Sequence, residues 1–340
     1  MLRLYRPIEH DIFKLHTILE HLVCNVWCEA CDEACDSKLQ NEFKALYVYS
    51  VKKGVTLKNE VERIYKIFQV IPIEDRALIK KAFEKNNDIE RLCNGEIPIY
   101  LNELNDVISN DIKPLFKWCY EVLLNKEKVV GDKMDYYKAL IKHNNFHVCP
   151  CCGLIDIESF ESKYREAFDH YLPKSKYPFA SVNFRNLVPL CYKCNSDRKK
   201  ARDPIENERV VFYPFSQEDH SIEICSEFLL SNNDETLETE LEDFKIDFIG
   251  NSDKIDTWKW LFDIEERYGS QMKRFATSFL GHIRRLHNQF VSLNPNWTYL
   301  ETIDFLINDY KNDYFDDKKF LKIAFLKAVK KDNAFLQTSA

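Results

Sequence analysis

Cys149-Pro150-Cys151-Cys152-Gly153 and, 38 residues further on, Cys191-Tyr192-Lys193-Cys194 are the stretches on which the reading of this chain turns. Each holds a C-x-x-C pair. Two such pairs supply four thiolates, the tetrahedral donor set that suits Zn²⁺. Gly153 permits the turn that aims both sulfurs of the first pair at one ion. Cys151 sits between the ligands and reads as a bystander, with substitution for Cys152 as the alternative. Four buried free cysteines remain the plain reading; a redox role fits poorly with two pairs that bracket a basic segment. Residues 163–202 carry ten Lys/Arg against three Asp/Glu, a local charge of +7 in a chain whose formal net charge is -7. For phosphate binding the local patch outweighs the global sum.

The rest of the composition narrows the class. The chain has 340 residues, 45% hydrophobic and 30% charged, which is ordinary globular usage and room for two or three domains. With 7 glycines it has little scope for glycine-rich nucleotide loops, collagen-like repeats or flexible linkers. No apolar run approaches the ~20 residues that span a bilayer, and no signal-peptide core precedes the first acidic residues. A cytoplasmic protein without a membrane partner is expected. In that compartment the twelve cysteines are core residues, metal ligands or nucleophiles rather than disulfides.

Ile12, Leu15, Leu19, Leu22, Val23 and Val26 recur at helical spacing, as do apolar residues over 58–70, 74–93 and 102–125. Short strands are expected at 208–215, 221–226 and 244–249. Helices are expected again at 253–267, 270–291, 298–310 and 316–331, the first capped by Ser252. The expected organisation is a mainly helical region 1–135, a small chemically distinct domain 136–205, and a region 206–340 of short strands and then helices.

Between the cysteine pairs lie Asp169-His170-Tyr171-Leu172-Pro173-Lys174-Ser175 and Asn186-Leu187-Val188-Pro189-Leu190, and Asn195 follows Cys194 directly. This D-H-x-x-P-x-S, N-L-x-P-L-C-x-x-C-N series resembles the HNH family of nucleases over about residues 147–203. The resemblance implies an α+β chain in which a small zinc-stabilised ββα-metal core sits between helical N- and C-terminal regions. Strand one would carry Asp169 and His170, strand two would run over about 186–190, and the helix would begin near Asn195. It also implies a metal-dependent DNA endonuclease. His170 would take a proton from water, since its ordinary pKa lies near ~6.5. Asp169 and Asn195 would offer hard oxygens to Mg²⁺ or Mn²⁺. Asn186 would hold the strand–loop geometry and orient His170. The ligand position filled here by Asn195 is often His in the family; Asn favours Mg²⁺ over softer ions. Neighbouring residues on a strand point to opposite faces, so Asp169 and His170 would diverge without local distortion.

Lys174, Lys176, Arg185, Arg198, Lys199, Lys200 and Arg202 surround this core and are the expected phosphate contacts, with a solvated basic face as the plain reading. The large flanking regions suit a regulated subunit. In the family such flanks often accompany bacterial defence against phage, sometimes beside an ATPase, which makes a protein partner of that kind a further expectation. The competing reading is a zinc-stabilised nucleic-acid-binding or partner-binding module without catalysis.

Other signals read as structural. Cys24, Cys28, Cys31 and Cys35 would form one helical stripe whose ends are ~16 Å apart, too far for a shared ion. His10, His16 and His21 do not share a face; His143 and His147 precede the first cysteine pair and read as surface residues or residues packed behind the site, with direct support of that pair as the alternative. Trp258, Trp260, Phe262 and Tyr268 read as core. Lys273, Arg274, Arg284 and Arg285 read as helix-surface charges, with an extension of the nucleic-acid surface as the alternative. Residues 210–244 hold ten Asp/Glu and no Lys/Arg and read as a solvated loop or a dock for a basic partner.

Overall fold

The computed structural model describes residues 1–126, 129–218, 220–228 and 244–331. The chain divides into two compact units. Most residues up to Glu218 form the first; the residues beyond it form the second, together with Leu2 and the short stretch 152–155. No helix of the described residues is long and apolar enough to cross a membrane.

In the first unit, α1 (Lys14–His21) runs into a π-helical turn, Leu22–Trp27. Ile12, Leu15, Leu19, Leu22, Val23 and Val26 are all buried, as their spacing requires. α2 (Asn41–Lys44) and the two-stranded hairpin β1 (Ser50–Lys52) and β2 (Val55–Thr56) lead to α3 (Leu57–Val70). A capping box between Thr56 and Asn59 starts α3. The apolar run over 74–93 is two helices, α4 (Ile73–Asn86) and α5 (Ile89–Cys93). The Asp88 side chain accepts from Arg91 N–H and so starts a new helix. A π-helical turn (Ile108–Ile112) continues into α6 (Lys113–Glu121), and α7 (Lys133–Asn144) is capped by Asp132. Then follow β3 (Phe168–His170), β4 (Leu187–Pro189) and the π-helical segment Lys193–Lys199.

The first residues of this unit close back on much later ones. Arg3 N–H donates to Pro150 O at 2.8 Å and Tyr5 N–H to Pro214 O at 2.7 Å. Tyr5 Oη donates to Pro189 O at 2.9 Å. Arg6 N–H donates to Asn144 Oδ1, and Asn144 Nδ2 returns a bond to Arg6 O.

The second unit opens with β5 (Glu223–Phe228) paired antiparallel to β6 (Phe244–Ile249) in continuous register from Glu223↔Ile249 to Phe228↔Phe244. α8 (Ser252–Phe262), α9 (Ile264–Leu293), α10 (Tyr299–Tyr310) and α11 (Lys319–Lys331) follow. Phe279, Ile283, Ile303, Leu306, Phe325 and Leu326 share one core cluster. Ser226 on β5 donates to Ala324 O on α11, tying the sheet to it.

Several expectations shift. The segment 208–215 forms no strand; its backbone groups are taken up singly, Val211 N–H by Cys93 O and Pro214 O by Tyr5. The cap of α8 is Asn251, with Ser252 its first helical residue. The break before α9 falls at Asp263, which adopts the left-handed conformation (φ 50) that Asp tolerates better than most residues. Trp258, Phe262 and Tyr268 are fully buried, whereas Trp260 is half-exposed and lines a surface cavity of about 1010 Å³. The helix carrying Cys24 ends at Cys28, so the four early cysteines do not form one stripe. Cys24, Cys28 and Cys35 are buried, and Cys31 is exposed with its sulfur 3.1 Å from Lys38 Nζ. In the acidic stretch 210–244, residues 219 and 229–243 lie outside the described residues.

Candidate functional site

The site is assembled on the β3–β4 pair. Asp169 stands opposite Val188 and His170 opposite Leu187. Directly after β4 the chain makes a tight turn in which Cys194 N–H and Asn195 N–H both donate to Cys191 O at 3.0 Å. That turn aims Cys191 and Cys194 to the same side. Gly153 after the other pair has φ +64, a conformation that side chains adopt rarely, and a Cβ there would lie 2.7 Å from Leu2 Cδ2 and 2.9 Å from Phe320 Cε1, so a larger residue would be strained and would push those side chains aside.

The sulfurs of Cys149, Cys152, Cys191 and Cys194 all lie within 4.8 Å of one another, and all four residues are buried. The Cys149 and Cys194 sulfurs are 4.0 Å apart. Tetrahedral Zn–S bonds of ~2.3 Å place sulfurs ~3.8 Å apart, so the cluster fits a zinc site with small adjustments. Cys151 is buried but outside the cluster. Among the described residues no second group of His, Cys, Asp or Glu converges in this way. Tyr268 Oη donates to Cys152 O, which fixes the backbone of one ligand.

His170 is held on two sides. Its Nε2 lies 3.0 Å from Ser181 O, which requires the proton on Nε2 and leaves Nδ1 as the acceptor of the neutral ring. The Tyr120 ring packs edge-on at 4.5 Å between centroids. Burial, reinforced by the positive charges of Lys174, Lys199 and Lys133, pushes the His170 pKa down to about 3. Asn186 is fully buried. Its Oδ1 accepts from Leu172 N–H at 2.7 Å, and its Nδ2 donates to Leu172 O at 3.0 Å and Ala180 O at 3.2 Å. Asn186 thus staples the loop between the strands. It reaches His170 through the Pro178–Val182 turn, whose Ser181 carbonyl the imidazole bonds.

Asp169 is 3% exposed. Lys199, 0% exposed, sets its Nζ 3.0 Å from Asp169 Oδ2 and 3.2 Å from Oδ1, and donates to His170 O at 2.8 Å. The Oδ2 contact is ionic, without the direction of a hydrogen bond, and leaves that oxygen otherwise unsatisfied. Burial raises the Asp169 carboxyl above the ordinary carboxylate range, and Lys199 opposes the shift. Asn195, half-exposed, donates from Nδ2 to Ala167 O at 3.4 Å. Asn195 and Lys199 therefore both reach from one helical turn toward the chain at β3.

The remaining basic residues occupy different settings. Lys174 pairs with Glu121 at 2.9 Å, and Lys176 bridges Asp203 at 3.2 Å and Glu206 at 3.3 Å. Arg185 is exposed and lies 5.5 Å over the Phe13 ring. Arg198 is half-buried; Lys200 and Arg202 are exposed. Lys199 departs most from expectation: a fully buried ammonium engaged with Asp169 is not a surface phosphate contact.

Sequence reasoning passed over Tyr120 and Lys133. Lys133 is 7% exposed, donates to Tyr120 O at 2.8 Å and lies 4.5 Å over the Tyr120 ring, with Lys174 5.3 Å from the same ring. Burial, then the charge of Arg165, pushes the Lys133 pKa down to about 8. Neither residue belongs to a motif, and neither carries a local signal.

A stretch of 97 residues is 37% identical to the Septu protein PtuB of Bacillus thuringiensis. It amounts to 28% of this chain and 36% of PtuB, so the match spans about a third of that relative's length. No family model and no solved structure matches the chain.

Proposed function

We propose that this chain is a metal-dependent endonuclease of the HNH type that hydrolyses DNA phosphodiester bonds, with residues 136–205 as its nuclease domain between helical regions 1–135 and 206–340. The observation that carries this reading is one arrangement: Asp169 and His170 on β3, β4 paired with it, Asn195 on the following turn, and four thiols at the strand ends. Zinc held by Cys149, Cys152, Cys191 and Cys194 is structural in this reading. Such a clamp would tie together the ends of strands only three residues long.

Asp169 and Asn195 would hold Mg²⁺ or Mn²⁺; the all-oxygen donor set fits a hard cation, and Asp169 Oδ2, in ionic contact with Lys199 alone, accepts no directed hydrogen bond that the ion would have to replace. When bound, such an ion would supply polarisation of the phosphodiester and stabilisation of the departing oxygen. His170, with Nε2 tied to Ser181 O, presents Nδ1 to take the proton of the attacking water. Its depressed pKa keeps it neutral, and an arriving phosphate next to the ring raises its basicity. Lys174, Lys176, Arg185, Arg198, Lys200 and Arg202 contact the DNA backbone. The HNH resemblance and the likeness to a Septu protein support a role in defence against phage, with a protein partner such as an ATPase.

One observation favours the second reading, a zinc-stabilised binding module without catalysis: an ammonium already rests on the carboxylate that a cation would need. Nicking of supercoiled plasmid with Mg²⁺ or Mn²⁺, alone and with the products of neighbouring genes, separates the two. Cleavage lost in His170→Ala supports the nuclease; DNA binding with no cleavage under any of these conditions supports the module.

A further inference from the structure

Lys199 poses a question of its own. Its ammonium touches both oxygens of Asp169 and the carbonyl of His170, with no exposure to solvent. A buried lysine gives up its hydration, and here the return comes from one carboxylate and one carbonyl. A divalent cation on Asp169 would need the same carboxylate. Two cations sharing it in a low-dielectric interior repel one another strongly.

The segment that carries Lys199 is suited to change. Lys193–Lys199 is π-helical, closed at its end by Lys200 N–H donating to Asn195 O at 2.9 Å, five residues back. Lys200 itself has φ 53 and ψ −124, a strained conformation for a residue with a side chain. Asn195 and Lys199 are four residues apart on this one turn. A shift of the turn that moves Asn195 toward a cation moves Lys199 as well. Single π turns occur frequently at functional sites.

We propose that Lys199 is a positioning residue that competes with the divalent cation for Asp169, so that loading the cation requires Lys199 to leave its buried place. The proposal rests on Asp169 being a cation ligand. Until the ion arrives, Lys199 keeps the Asp169 charge compensated and holds the His170 carbonyl.

The test uses the full chain without nucleic acid and Mn²⁺ as the probe. Lysine acylation read by mass spectrometry should find Lys199 protected without Mn²⁺ and modified at saturating Mn²⁺, while Lys200 reacts in both states. Calorimetry should show Lys199→Met binding Mn²⁺ about tenfold more tightly than wild type, as removal of a competitor favoured about ten to one requires. Because Lys199→Met leaves a buried charge and risks misfolding, Asp169→Asn/Lys199→Met, a neutral pair, is made beside it and should not bind Mn²⁺ at this site. Lys199 that stays protected while wild type binds Mn²⁺ in an Asp169-dependent way overturns the proposal and leaves the nuclease reading intact. Mn²⁺ binding that does not depend on Asp169 removes the cation ligand itself, and with it the reading on which the proposal rests.

Discussion

Replacing Asn186 by Ala removes three hydrogen bonds from one fully buried side chain: Leu172 N–H to Oδ1 at 2.7 Å, and Nδ2 to Leu172 O and Ala180 O at 3.0 and 3.2 Å. Each bond contributes about 1 kcal/mol net; Ala180 O keeps Asn183 N–H as a donor, but the Leu172 N–H and carbonyl are left as backbone groups that cost about 1–3 kcal/mol each when buried and unpaired. Water entering the space left by the amide recovers part of this. The expected loss is therefore about 3–5 kcal/mol, a large share of the 5–15 kcal/mol typical of a whole domain. The damage is local at first, because the bonds staple one loop. Hydrogen exchange followed by mass spectrometry should show residues 171–187 opening far faster in Asn186→Ala than in wild type, with α3 and α4 unchanged. Asn186→Asp keeps the acceptor for Leu172 but turns the donor into a second acceptor facing two carbonyls, and should be at least as damaging. With the Pro178–Val182 turn released, the His170–Ser181 bond goes too, and cleavage should fall even where the protein still folds. Exchange in 171–187 within a factor of about three of wild type, less than 1 kcal/mol, refutes the staple.

The cysteine cluster predicts one zinc per chain by elemental analysis, lost in Cys191→Ser but kept in Cys151→Ser, whose cost should stay near the ~1–3 kcal/mol of a buried polar mismatch; zinc lost with Cys151 and kept without Cys152 would reverse the assignment. His170→Ala should lower plasmid cleavage by ~10²–10⁴ while DNA binding, followed by fluorescence anisotropy, stays within a few-fold of wild type; undiminished cleavage would mean that another group activates the water. Lys133 is held near pKa 8 against an ordinary 10.5, so the unfolded chain binds more protons than the folded one between these values and stability rises with pH across that window. Urea unfolding of wild type and Lys133→Met should thus show wild type gaining on the variant from pH 8 toward pH 10; a constant gap would mean that Lys133 is not desolvated.

What the sequence reveals about this chain is set by distance along it. The two C-x-x-C pairs announce their geometry because three residues of turn decide where two sulfurs point. The helical stripe from Ile12 to Val26 is equally local. From sequence a helix break is expected between 267 and 270, whereas the chain breaks at Asp263, which adopts the left-handed conformation, and Gly269 lies inside the helix. The candidate site is less legible. Tyr120 meets His170 across fifty residues, and no periodicity encodes that contact. Lys199 and Lys200 are neighbours of identical chemistry; one is fully buried on a carboxylate and the other exposed, a difference made by the π-helical turn and by where β3 lies. A basic run read from sequence as one face is in fact divided between core and surface.

The closure of Arg3, Tyr5 and Arg6 onto Asn144, Pro150, Pro189 and Pro214 orders events during synthesis. These residues are synthesised long before the partners they meet. At 5–20 residues per second, Tyr5 waits about 10–40 s for Pro214 to be made. Through that interval the Tyr5 ring, which packs beside Phe146 and Phe215 in the folded chain, lacks Phe215 as a neighbour. The bonds of Arg3 and Tyr5 thus join the first unit across its sequence, and they form only after Pro214 has been made.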